Sequence, residues 1–246
     1  LPPLGSPDKL QRVTHDLLTG IKLYLVFILS TTFHEAAHAW TAWKLGDDTA
    51  HRGGQVTLDP TPHIQRSPIG MVVVPILSYM LGGWMFGWAS APFNPQWAMN
   101  YPRRSGVMSL AGPAANLILV LMAALVIRMG VTFHYFDAPT SVTFGHVVDG
   151  HTSSGYFFAS MLSIVFSLNL LLCAFNLLPL PPMDGSAALR LFADPSSAEK
   201  WMNFTHNRQF QFIGLVVAWK VFDIIFPPIQ LGAINILYLG QSYYQP

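Results

Sequence analysis

Glutamate occurs only twice in these 246 residues, at Glu35 and Glu199, and cysteine only once, at Cys173. A single cysteine excludes an internal disulfide, and its apolar surroundings predict a buried, inert thiol. Charge of either sign is scarce: Asp, Glu, Lys and Arg make up 10% of the chain, against about 25% in soluble domains. A formal net charge of +1 leaves no field for a polyanion, so nucleic acid is excluded as a partner. The N-terminus lacks the charged, apolar and small-residue order of a secretory signal; LPPLGSPDKLQR reads as a trimmed start followed by a short polar segment. Lys and Arg are also missing from residues 130–156.

Hydrophobic residues, by contrast, reach 52%, which argues for lipid as the solvent. Apolar runs long enough to cross a bilayer lie near residues 20–45, 107–129 and 156–178, with a further run at 210–239 split by Pro227 and Pro228. A fifth apolar stretch, 69–90, is broken by Pro75 and the Gly82–Gly83 pair. These runs predict an all-α polytopic membrane protein, a bundle of about four to six transmembrane helices. Val56 and Leu58 alternate with polar neighbours after Gly53–Gly54, which predicts a short strand or hairpin after the first core helix.

The first span contains HEAAH, residues 34–38, and so holds one of the two glutamates. On a helix, positions i and i+4 share a face, so His34 and His38 would offer two imidazoles to one zinc ion, with Glu35 beside it as general base. Ionisable residues at bilayer depth each cost about 2.5–3.5 kcal/mol, which makes a chance match a poor explanation for three of them within five positions. A catalytic zinc site needs a third protein ligand. Asp184 is a candidate because Pro179, Pro181 and Pro182 end the preceding apolar helix, and irregular backbone at membrane depth must line protein or a wet cavity. The alternative for Asp184 is an ordinary interfacial loop residue. His15, His134, His146, His151 and His206 fall in polar segments and are expected to be solvated, while His63 is expected in a structural or supporting role.

HEAAH together with NLLPLPPMDG, residues 176–185, resembles the paired motifs of the site-2 protease family of intramembrane zinc metalloproteases. AGPAAN, residues 111–116, resembles a third element of that family, and GWASAPFNP, residues 87–95, resembles its compact branch without a PDZ domain. The resemblance covers roughly residues 20–190 and implies a single membrane domain over 1–246: a polar segment 1–19, a catalytic core 20–190 and C-terminal helices 191–246. It makes Asp184 the third zinc ligand. It gives Asn116 a role in polarising the scissile carbonyl or its oxyanion, the alternative being an interhelical hydrogen bond beside Ala114 and Ala115. Asn176 is expected to satisfy backbone near the broken helix end.

The implied activity is zinc-dependent hydrolysis of peptide bonds in or near transmembrane helices of other proteins, with the lipid bilayer as the surrounding partner. The competing classes are a membrane metal-binding or transport protein and a catalytically silent relative that binds helices. For His38 and Asp184 to meet at one depth, their helices must run parallel, which leaves room for only one crossing between them. Segment 69–90 is therefore expected to be re-entrant or partly extended. Arg103 and Arg104 put the start of the AGPAAN helix on the cytoplasmic side of what would be a prokaryotic cytoplasmic membrane, with the zinc nearer that face.

Overall fold

The structure, a computed structural model, describes residues 7–241 and 243. Of the expected polar segment 1–19, residues 1–6 lie outside the described residues, and the remainder forms the first turns of helix α1, Pro7–Lys44. Short helices α2 (Thr49–Arg52) and α3 (Thr61–Arg66) follow. The strand expected over residues 53–59 does not form. Leu58 is exposed, and the backbone bonds locally instead, Gly54 N–H to His51 O and Gln55 N–H to Ala50 O, so the V-x-L alternation lies on no buried face.

The broken apolar stretch enters as a π-helical turn, Ile69–Val73, and continues as α4, Val74–Gly82. It then returns as extended chain to α5, Pro95–Asn100. Helix α4 runs antiparallel to α1, bringing the Tyr79 hydroxyl to Asp16 O at 2.6 Å. The returning chain crosses the entering one where Trp88 N–H donates to Gly70 O at 3.0 Å. It ends at Asn94, whose N–H donates to Asp47 Oδ2 at 2.7 Å just beyond α1. Segment 69–94 thus enters and leaves at the Lys44 end of α1, and is re-entrant.

Helix α6, Pro102–Thr132, starts at that same end, where Arg104 donates to Leu45 O at 3.2 Å. The loop at its far end pairs β1 (Phe136–Asp137) antiparallel with β2 (Asp149–Gly150), the one two-stranded sheet among the described residues. Helix α7, Ser153–Asn176, returns. Two hydrogen bonds fix its direction: Lys22 Nζ to Ser160 Oγ at 2.7 Å and Asn169 Nδ2 to Ser30 Oγ at 2.9 Å, so both residue numbers rise together and α1 and α7 are parallel. The chain then passes through its prolines to α8 (Asp184–Ala188), a 3₁₀ turn (Leu189–Phe192) and α9 (Pro195–His206). It finishes in α10, Arg208–Leu237, one continuous helix with Pro227 and Pro228 inside it.

Among the described residues four helices, α1, α6, α7 and α10, are long and apolar enough to cross a membrane. Helix α6 packs between α1 and α7, and α10 packs on α7. Val26, Phe27, Met71, Ile164 and Leu168 fill the space between α1, α7 and the re-entrant segment. Large apolar side chains such as Leu121, Leu125, Ile213 and Ile224 remain exposed on α6 and α10, an arrangement suited to acyl chains and costly in water.

Candidate metal centre

His34 and His38 lie one turn apart on the buried face of α1, with ring centroids 4.7 Å apart. Each ring is fixed through its Nδ1–H. His34 donates to Asn116 Oδ1 at 2.6 Å, and His38 donates to the Met108 carbonyl at 2.7 Å. With those protons on Nδ1, both Nε2 lone pairs point the other way, toward Asp184. Its Oδ2 lies 3.0 Å from His34 Nε2 and 3.3 Å from His38 Nε2, and the two Nε2 atoms are 3.0 Å apart.

Three electron-pair donors converging at such distances repel one another unless a cation sits among them. Zinc bonds of about 2.0–2.1 Å at tetrahedral angles would separate the ligand atoms by about 3.4 Å, close to the spacing here. The three residues thus fit a metal ion with one corner left open, and they are the one such group of three found among the described residues.

Two glycines make this convergence possible. A Cβ on Gly112 would stand 2.3 Å from His38 Nε2 and 2.4 Å from His34 Nε2, against the two atoms that face Asp184. A Cβ on Gly185 would stand 2.3 Å from Leu177 O, where α8 begins against the end of α7. What position 185 demands is close approach of backbone, which glycine alone allows.

Glu35 is buried, lines the cavity beside the ligands, and among the described residues its carboxylate takes no hydrogen bond, so it is free to accept a proton. Asn116 sits elsewhere than the expected oxyanion role requires. It is fully buried, its Oδ1 is occupied by His34, and its Nδ2 donates to Asn169 Oδ1 at 2.8 Å, which leaves no strong donor for a substrate carbonyl. Asn169 in turn donates to Ser30 Oγ and to Val165 O. A polar ladder Ser30–Asn169–Asn116–His34 therefore crosses three helices. Asn176 donates to Leu172 O at 3.0 Å near the end of α7, in keeping with a backbone-satisfying role, and also lines the cavity.

The cavity, about 330 Å³, is lined further by Arg190, at the end of the core expected over 20–190, and by Thr205, His206 and Gln211 beyond it. His206 is exposed, as expected, and also donates through Nδ1 to Met202 O and packs against Phe93. His63 is buried away from the cavity against Thr57 O. No local pattern marks these C-terminal residues, because the fold alone brings α9 and α10 back over the metal ligands.

The family described as Peptidase family M50 matches residues 22–219, further along the chain than the motifs reach. YwhC of Bacillus subtilis, named as a candidate zinc metalloprotease, is 33% identical over 226 residues, covering 91% of this chain and 93% of its own length. Rip2 of Mycolicibacterium smegmatis and Rip2 of Mycobacterium tuberculosis, similarly named, are 30% and 32% identical over 171 residues. The matched region spans 57% of each Rip2. No solved structure gives a significant match.

Proposed function

The chain belongs to peptidase family M50 and is a membrane zinc metalloprotease, and on that premise we propose that it hydrolyses peptide bonds in or next to transmembrane helices of other proteins. The observation that carries this reading is the convergence of His34, His38 and Asp184 beside the Glu35 carboxylate, which takes no hydrogen bond among the described residues, in a cavity among apolar helices. In the proposal His34, His38 and Asp184 hold one zinc ion. Such an ion supplies a water whose pKa is lowered to about 7, so a nucleophile exists at neutral pH.

Glu35 accepts the proton of the attacking water and delivers it to the leaving amide nitrogen. Asn116 and the Met108 carbonyl keep each imidazole in the tautomer that presents Nε2. A substrate helix has its own amides hydrogen-bonded, so the segment to be cut must first be drawn out straight. The returning limb of the re-entrant segment offers a template. Trp88 N–H and Ser90 O are bonded to Gly70, Gln55 and Arg66, whereas the backbone groups of Ala89, Ala91 and Phe93 have no partner among the described residues. Alternation of this kind is that of a strand with one edge filled and the other open, and Ala89, Ala91 and Phe93 line the cavity. In the proposal residues 89–93 take the part of that template.

Glu35→Gln tests the reading, with purified protein and single-span substrates. The variant should keep one zinc per chain and lose about 10²–10⁴-fold in cleavage, the usual weight of a general base. Chelator should abolish wild-type cleavage and added zinc restore it. Retention of full activity by the Glu35→Gln protein, or indifference to chelator, would refute the mechanism.

A further inference from the structure

Arg190, on the 3₁₀ turn after α8, is 3% exposed and is the one Lys or Arg in the cavity lining. Its Nε donates to Ala187 O at 2.9 Å, while Nη2 reaches Ser109 Oγ only at 3.4 Å. The Nη1 group is buried with no hydrogen-bond partner among the described residues. No carboxylate pairs with this guanidinium among the described residues, and burial lowers its pKa to about 10, which leaves it cationic at neutral pH. A buried cation with an unfilled donor is destabilising unless an anion comes to it, and the space next to it is the cavity in which a substrate would lie.

Its position along the bundle decides which anion. The metal ligands sit at the level of Gly112 on α6, whereas the guanidinium is tethered to Ser109, three residues closer to the Lys44 end. At about 1.5 Å per residue that is an offset of about 4.5 Å, increased by the lean of helical side chains toward the N-terminus. An extended chain advances about 3.3 Å per residue, so the group facing Arg190 lies one or two residues from the bond being cut, not at the reacting carbonyl. Resting on the function proposed above, we propose that Arg190 forms a subsite for an acidic side chain, Asp or Glu, one or two residues from the scissile bond on the Lys44 side of the metal site.

The test uses the full chain in detergent with two series of single-span substrates, identical except for Glu or Gln at each of the three residues on that side of the cut. Wild-type protein should prefer Glu by about tenfold or more in kcat/KM at one of these positions, the scale of a charge-assisted hydrogen bond. Arg190→Gln should bring that ratio to about one, and Arg190→Lys, which keeps charge but not the planar fork, should retain part of it. Equal wild-type cleavage of Glu and Gln substrates at all three positions overturns the subsite while leaving the protease reading intact. A Glu preference that survives in the Arg190→Gln protein overturns it as well. Failure to cut any substrate overturns the protease reading and the subsite together. The wild-type ratio decides the matter even if Arg190→Gln does not fold.

Discussion

Gly112 is the residue whose side chain, a single hydrogen, decides whether the site can hold an ion. The methyl of Gly112→Ala would press on both Nε2 atoms, so that variant should fold but bind much less than one zinc per chain, measured by metal analysis after gel filtration. The polar ladder makes a second, milder prediction. Asn169→Ala removes the acceptor that holds Asn116, and Asn116→Leu removes the acceptor that orients His34. Each should weaken zinc binding by about 10–100-fold, the usual effect of losing a group that orients a ligand, read by competition with a chelator. Unchanged zinc affinity in both variants would show the ladder to be packing alone. Residues of the HEAAH motif were legible from spacing because i and i+4 meet on any helix, and Asp184 from its proline-broken context together with the family resemblance. Asn116 was visible but misassigned, since which way an amide faces depends on Asn169, 53 residues distant. Asn169 and Ser30, separated by 139 positions, carry no local signal.

At the scale of elements, the re-entrant segment is where the sequence was both most and least informative. Its breaks at Pro75 and Gly82–Gly83, with the requirement that α1 and α7 be parallel, were enough to predict that it does not cross. Its strand-like return was not legible, because glycines, tryptophans and Pro92 give no alternation, and the open edge exists only once Gly70, Gln55 and Arg66 have occupied the other side. The V-x-L pattern at 56–58, which did look like a strand, found no neighbour to pair with. Gly87 holds the return limb in place: a Cβ there would stand 2.5 Å from Gly70 O and 2.5 Å from Phe27 Cζ. Gly87→Val should therefore displace residues 88–93 without touching the zinc ligands. Cleavage should drop by about 10²-fold, the cost of misplacing a bound substrate by about 1 Å, while zinc stoichiometry stays at one per chain. Parallel loss of zinc and activity would argue that the limb supports the metal site itself and does not serve as a template.

For the whole molecule, the arrangement of charge predicts an orientation, because loops rich in Lys and Arg tend to stay cytoplasmic. Lys44, Arg52, Arg66, Arg103, Arg104, Lys200 and Arg208 all lie at the end of the bundle where α1 finishes and α6 starts, while the loop 133–152 at the other end has neither Lys nor Arg. His34 and His38 lie in the last third of α1 and Asp184 just beyond α7, so the same bias predicts the proposed metal centre nearer the cytoplasmic face. Cys173, the native thiol, is buried and gives little background for thiol labelling, which makes the orientation measurable. Gln96→Cys on α5 and Thr140→Cys in the far loop each place a thiol at an exposed position on opposite ends. In intact cells a membrane-impermeant maleimide should label the Thr140→Cys protein and spare the Gln96→Cys protein, and after lysis it should label both. The reverse pattern would invert the topology and put the metal centre near the outer face. Labelling of both before lysis would mean that residues 95–100 and 133–152 share one side, which would require an even number of crossings between them and contradict α6 as a span.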